Sequence, residues 1–274
     1  MEMHLDRSLS LSPLTVLPCS PLEQVDAALD AGFQAIGLRL LPVLATDVDV
    51  MSDGGLQRAL ERHIAASGLE VLDIEVVRVD PQLDVEAIAP ALEFAGGLGA
   101  RWLAATSATR ADYRAEDEPE VVRRLAELCE AAARRGLGVM LEFMPSRGIG
   151  TLEHAVRIVT AVGHPDLTLT IDALHFYRSG ATAHALHGID PQRLGCVQLC
   201  DGPATPPTDL AQEARYERLY PGEGDFPLGD LMAALPSDLP VSVEAPSRSR
   251  AHLSVTERSR ESASCARRLL ASVA

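Results

Sequence analysis

The chain contains no lysine: all 24 basic residues among its 274 are arginine. Schiff-base aldolases, pyridoxal enzymes and Walker-type phosphate loops all need that amine, so these classes are excluded. No G-x-G-x-x-G opens a helix. No apolar run approaches the roughly 20 residues of a membrane helix, and the N-terminal MEMHLDRS lacks a charged-then-apolar leader pattern, so a cytoplasmic protein is expected. The 5 cysteines are odd in number and form no C-x-x-C pair, which makes reduced thiols the default. Cys129, Cys196 and Cys265 read as small buried hydrophobes. Basic charge is scarce as well: 39 acidic residues leave a net charge of −15, against a nucleic-acid partner.

What the chain does have is one unit repeated from end to end: an apolar run, a polar loop, an amphipathic helix, then a glycine before the next apolar run. PLEQVDAALDAG leads into FQAIGLRL, GGLQRALERHIAASG into LEVLDIEVVRV, and DVEAIAPALEFAGGLG into ARWLAATS. PEVVRRLAELCEAAARRG then leads into LGVMLEFMP, and TLEHAVRIVTAVGHPD into LTLTIDAL. Gly32, Gly68, Gly99, Gly136 and Gly163 stand where a helix needs a left-handed residue before the chain reverses. With LSLSPL near the N-terminus, CVQLCD and VSVEAP, the strands number eight, and SASCARRLLASV is the closing helix. About 250 residues is typical of a (β/α)8 TIM barrel folding as one domain, and residues 1–274 are read as one such domain. Several strand-to-helix loops are long: LPVLATDVDVMSDGG, SATRADYRAEDE and DGPATPPTDLAQEARYERLYPGEGDF. In such barrels the long loops mark the C-terminal face, where the active site lies.

Four strand tips in the second half carry an oxygen-bearing side chain: Glu142 in VMLEFMP, Asp172 in TLTIDALH, Gln198 in CVQLCD and Glu244 in VSVEAP. An unpartnered carboxylate within an apolar run costs several kcal/mol. Three carboxylates and an amide at one barrel mouth are instead a ligand set for one divalent metal ion. In a lysine-free barrel the remaining carbonyl chemistry is metal-assisted: an ion polarises a substrate oxygen while a carboxylate or imidazole moves a proton. His175, three residues after Asp172, is the nearest imidazole in sequence. Arg39 and Arg78, ending the second and third strands, are anion clamps or partners in rim ion pairs. Glu75 is a lower-ranked inward-facing candidate, and Asp201 reads as a cap for the long loop. His63, His154, His164, His184 and His187 read as surface residues, and Trp102 as packing.

Together, Glu142 with its flanking Val-Met-Leu and Phe-Met-Pro, the Asp172-x-x-His175 on the sixth strand, Val197-Gln198-Leu199-Cys200-Asp201, the PGEGDF of Pro221 to Phe226 and Ser242-Val243-Glu244 resemble the xylose isomerase-like barrels of the sugar phosphate isomerase/epimerase superfamily. The resemblance covers nearly the whole chain. It implies that Glu142, Asp172, Gln198 and Glu244 bind one divalent metal and that His175 contacts substrate hydroxyls. It also implies that an arginine after the seventh strand, Arg215 or Arg218, binds substrate. Sugar epimerases of this family usually have histidine where this chain has Gln198. An all-oxygen site prefers Mn²⁺ or Mg²⁺, with Co²⁺ as an alternative, over Zn²⁺, and the glutamine variant is similar to the bacterial 3-dehydroshikimate dehydratases.

The expected activity is therefore that of a metal-dependent isomerase or epimerase acting on a small sugar or polyhydroxylated carbonyl compound. Glu142 and Glu244 flank the substrate, and one of them or His175 is the base. A dehydratase of the 3-dehydroshikimate or inosose type is the alternative, because both reactions begin by removing a proton next to a polarised carbonyl. The endonuclease branch of the fold resembles a histidine-rich three-metal site with a basic groove, and this chain offers neither. Outside enzymology the alternative is a barrel that binds a ligand without turnover. Exposed helices of such barrels commonly pair, so a homodimer stays open.

Overall fold

The apolar runs become eight parallel strands in a computed structural model that describes residues 7–43 and 47–273. The strands are β1 (Leu9–Leu11), β2 (Ala35–Arg39), β3 (Glu70–Val79), β4 (Trp102–Ser107), β5 (Gly138–Glu142), β6 (Leu167–Asp172), β7 (Leu194–Leu199) and β8 (Val241–Val243). They close in sequence order, β8 pairing back to β1 with Leu9, Ser10 and Leu11 beside Val241, Ser242 and Val243. The fold is thus the single-domain (β/α)8 barrel expected from the repeat. Most of the N-terminal stretch read for a leader, and residues 44–46 of the loop after β2, lie outside the described residues.

The helices form where apolar periodicity and capping agree. Ser20 caps Pro21–Asp30 in a reciprocal box with Glu23, Asp53 caps Gly54–Ser67, and Thr151 caps Leu152–Val162. The five glycines expected at helix-to-strand turns all have positive φ, between +67° and +78°. Two elements depart from expectation. The closing helix runs from Val255 to Ser272, because a second capping box, Ser254 with Glu257, starts it well before SASCARRLLASV. The long segment after β7 carries the helix Leu210–Tyr216, which begins where Asp209 accepts from the amides of Ala211 and Gln212. Among the described residues no helix is long and apolar enough to cross a membrane.

Alternation along each strand divides the barrel into two interiors. Leu11, Ile36, Leu38, Ile74, Leu103, Val139, Leu141, Leu169, Ile171, Val197, Leu199 and Val243 belong to one large core that also includes apolar faces of the helices. A small second cluster, Ala35, Leu72, Met140 and Cys196 with Trp102 against it, plugs the barrel. Trp102 also explains Gly138, where a Cβ would lie 2.1 Å from its ring. Above the plug the inward positions turn polar and are buried: Ser10, Asp73, Glu75, Thr106, Glu142, Thr170, Asp172, Gln198, Ser242 and Glu244.

Candidate active site

All four proposed ligand positions reach the C-terminal mouth. Glu142 and Asp172 end β5 and β6, Gln198 is the penultimate residue of β7, and Glu244 follows β8 directly. They are buried, and Glu142, Gln198 and Glu244 line a cavity of about 250 Å³ with Arg39, Glu75, His175, Arg147, Arg215 and Arg218.

Asp172 has two structural duties that fix the D-x-x-H spacing. As the last residue of β6 it also caps the helix Ala173–Arg178, its Oδ1 accepting from the His175 amide at 2.9 Å. That turn brings the His175 ring back over the mouth, with Nε2 3.7 Å from Glu142 Oε1. Ligand atoms of Glu142, Asp172 and His175 lie within 4.8 Å of one another, the one such metal-capable histidine and carboxylate group among the described residues. Glu244 faces another way: Oε1 accepts from Ser12 at 3.1 Å and from the Gln198 amide at 3.3 Å.

Arg218 joins the two halves. It is 2% exposed, and its guanidinium meets Asp172 Oδ2 at 2.6 Å and Glu244 Oε2 at 3.0 Å. It therefore braces two of the four proposed ligand residues while lining the cavity itself. Arg39 holds Glu75 at 3.2 Å and Asp47 at 3.3 Å, so the ion-pair reading of that residue holds, although the pair is buried.

Protonation follows from this crowding. Burial pushes the Glu142 carboxyl well above the usual range, and the Glu244 and Asp172 charges add to the effect. Burial raises Glu244 to about 8 against the pull of Arg218, while Glu75 and Asp73 are each raised to about 7. Burial acts on Asp172 in the same direction, but Arg218, His175 and the His175 amide outweigh it and hold the carboxyl below its ordinary value. Burial lowers the His175 imidazole to about 4 despite Asp172, so the ring is neutral at pH 7.

The residues fit a divalent cation. Glu142 Oε1 and Gln198 Oε1 are buried oxygens without a hydrogen-bond partner, the groups a cation would satisfy. Among the described residues the five buried carboxyl groups Asp73, Glu75, Glu142, Asp172 and Glu244 form guanidinium ion pairs with Arg39 and Arg218 only. A 2+ ion would offset that excess.

The other candidates separate clearly. Arg215 reaches the cavity wall. Arg78 does not: its side chain is 59% exposed and pairs with Asp80 at 3.3 Å. Asp201 is more than a cap. It clasps the PGEGDF turn by accepting from the amides of Gly202, Gly222 and Phe226 at 2.8, 3.0 and 3.0 Å. A Cβ at Gly224 would lie 2.4 Å from Asp201 Oδ1, so this motif serves the loop's shape. The histidines read as surface residues include His63 on Asp26 and His154 on Glu118, both at 2.8 Å. Two participants were not singled out: Ser12, which bridges Glu75 at 2.9 Å and Glu244, and Arg147 in the cavity wall. Serine after a strand and arginine in a loop are too common to signal a site. Only the closed barrel brings them to it.

This chain belongs to the xylose isomerase-like TIM barrel family, whose model it matches over residues 25–269. An inosose isomerase of Bacillus velezensis is 31% identical over 113 residues, 40% of this chain and 39% of that protein. A 3-dehydroshikimate dehydratase of Bacillus anthracis is 34% identical over 71 residues, 26% of this chain and 25% of that protein. The matched segments thus span well under half of either relative. Among solved structures, the IolI protein with a bound zinc atom superposes with a TM-score of 0.86 at 20% identity, covering 97% of this chain and 99% of that one. At that identity the likeness is one of fold.

Proposed function

We propose that this chain is a divalent-metal-dependent isomerase or epimerase of a small sugar or polyhydroxylated carbonyl compound, working by removal of a proton next to the carbonyl. The observation that carries the reading is the pair of unpartnered buried oxygens, Glu142 Oε1 and Gln198 Oε1, in a cavity that also holds a neutral His175. Glu142, Asp172, Gln198 and Glu244 would hold the ion, Mn²⁺ or Mg²⁺ by the hardness of an all-oxygen set, with Co²⁺ next. When bound, the ion would polarise the substrate carbonyl and favour negative charge on its oxygen.

The protein's own part is orientation and proton movement. His175 Nε2, neutral and 3.7 Å from Glu142, would accept a proton from substrate carbon or hydroxyl. Glu244, just past β8 and two strands round from β6, would return a proton from its protonated carboxyl group on another arc of the mouth. Arg218 keeps Asp172 and Glu244 oriented, and Ser12 keeps Glu244 against Gln198. A second reading, dehydration β to a ketone, is favoured by Gln198 at a position where the epimerases usually carry histidine. The named relatives include both an isomerase and a dehydratase.

Proton NMR in D₂O with Mg²⁺-loaded protein separates the readings on ketohexoses, inososes and 3-dehydroshikimate. Deuterium entering next to the carbonyl without loss of water supports epimerisation or isomerisation, and an enone or aromatic product supports dehydration. Neither signal from any of them returns the chain to a ligand-binding barrel. His175→Ala is expected to lower kcat by about 10²–10⁴ while metal affinity stays within a few-fold. Equal loss of both makes His175 a ligand, as its closeness to Glu142 and Asp172 would allow.

A further inference from the structure

Two guanidinium groups at the cavity lack an acidic partner. Arg147 is half-buried in the loop after β5, and Arg215 is exposed on the helix Leu210–Tyr216. Both line the cavity, and among the described residues neither makes an ion pair or a side-chain hydrogen bond. Four other arginines near the mouth are engaged: Arg39 with Glu75 and Asp47, Arg78 with Asp80, Arg178 with Glu213, and Arg218 with Asp172 and Glu244.

Both mounts are fixed. The Arg147 backbone pairs with Thr109 in an antiparallel bridge, and its amide donates to Met144 O at 2.8 Å. The next residue, Gly148, donates to Ala108 O at 3.0 Å under the Tyr113 ring, where a Cβ would lie 2.0 Å from Cγ. The helix bearing Arg215 is capped by Asp209 and tied down by the buried Glu213–Arg178 pair at 2.6 Å. Burial holds Arg147 below the usual arginine value; Glu142 opposes this, while Arg215 and Arg78 add to it. Like charges have thus been gathered on fixed mounts with no ion pair to neutralise them. The cavity is consequently dipolar: acid on the floor, two free guanidinium groups on the wall. A simple anion is repelled from the floor, and a neutral polyol leaves the guanidinium groups unused.

We infer that Arg147 and Arg215 form a subsite for an anionic substituent, a carboxylate or a phosphate, on a substrate whose carbonyl or hydroxyl end reaches Glu142, Gln198 and Glu244. This deepens the carbonyl-enzyme reading and rests on it for the substrate's orientation. Arginine's planar fork suits either anion.

The test is calorimetric titration of Mg²⁺-loaded protein with two matched pairs: 3,4-dihydroxybenzoate against catechol, and fructose 6-phosphate against fructose. The charged member of one pair is expected to bind about 10- to 100-fold tighter than its neutral partner, the usual worth of one or two charge-assisted hydrogen bonds. The pair that discriminates identifies the anion as carboxylate or phosphate. Arg147→Gln with Arg215→Gln should bring that ratio close to one, and Arg147→Lys should restore part of it; melting temperatures report whether the variants fold. Equal binding of both members of both pairs overturns the subsite, as does a ratio that survives the double variant. The two readings fail separately. Deuterium exchange on neutral ketoses with a ratio of one would leave the enzyme and remove the subsite. A ratio that the double variant erases, without exchange or water loss on any carbonyl compound, would leave the subsite and remove the enzyme.

Discussion

Leu141 and Glu142 are neighbours on β5 and face opposite media. Leu141 points into the annulus between sheet and helices, where Leu, Ile and Val pack in one continuous core. Glu142 points into the barrel axis, where Ser10, Asp73, Thr106, Thr170, Gln198 and Ser242 share with it the property of a buried oxygen that has no partner. Burying a leucine contributes about 1.5–3 kcal/mol, whereas a buried polar group left unsatisfied costs about 1–3 kcal/mol. The annulus therefore holds the fold and the axis works against it. A chain keeps such an axis when something else, an ion or a substrate, satisfies it in the working state.

The sharpest test of this division uses the two neighbours. Glu142→Gln should abolish Mn²⁺ binding in calorimetry and lower turnover by about 10³-fold or more, since several kcal/mol of charge stabilisation are lost, yet leave the metal-free melting temperature unchanged or higher. Leu141→Ala should do the reverse, costing about 2–5 kcal/mol in urea unfolding with metal affinity of the folded protein unaltered. A Glu142→Gln protein that loses stability as Leu141→Ala does would break the comparison.

The axis should also make the metal-free protein sensitive to alkali. In the folded state Glu244 is raised to about 8 and Asp73 and Glu75 to about 7, from ordinary values near 4. Between those limits the folded chain binds more protons than the unfolded one, so stability is fullest below the unfolded values and falls as pH rises through 7 to 8. Asp172, held low, acts oppositely and only under acid conditions. In EDTA, urea midpoints should drop from pH 5 to pH 8, and Mg²⁺ or Mn²⁺ should stabilise more at pH 8 than at pH 5, because the cation takes the deprotonated carboxylates. A midpoint that rises over that range in EDTA would contradict the reading.

The same division explains how far the sequence could be read. The annulus was legible almost completely, because periods of 2 and 3.6 and left-handed glycines such as Gly68 and Gly163 leave local traces. The axis was legible where an acid interrupts an apolar run, as at Glu142, Asp172 and Glu244. It was not legible where the partner comes from across the barrel. Nothing near Arg218 in sequence says that it reaches Asp172, 46 residues earlier. The same holds for Ser12 and Glu244, 232 residues apart. PGEGDF was legible as part of the family resemblance, but its role as a clasp around Asp201 was not.

The smallest expected effect probes the axis without touching a charge. Thr170 is the β6 residue paired in register with Glu142 and Cys196, and its buried Oγ1 has no partner. Thr170→Val keeps the shape and removes the hydroxyl, so the desolvation penalty disappears with no cavity left behind. Stability in EDTA should rise by about 0.5–2 kcal/mol, the opposite sign from an equally small truncation such as Ile171→Val one residue along, which faces the annulus and should cost about 0.5–1.5 kcal/mol. Opposite signs at adjacent residues of one strand would mean that the two interiors are built to different ends. A loss at Thr170 would instead reveal a hydroxyl satisfied by buried water, and the axis would then be a hydrated network that supports the fold.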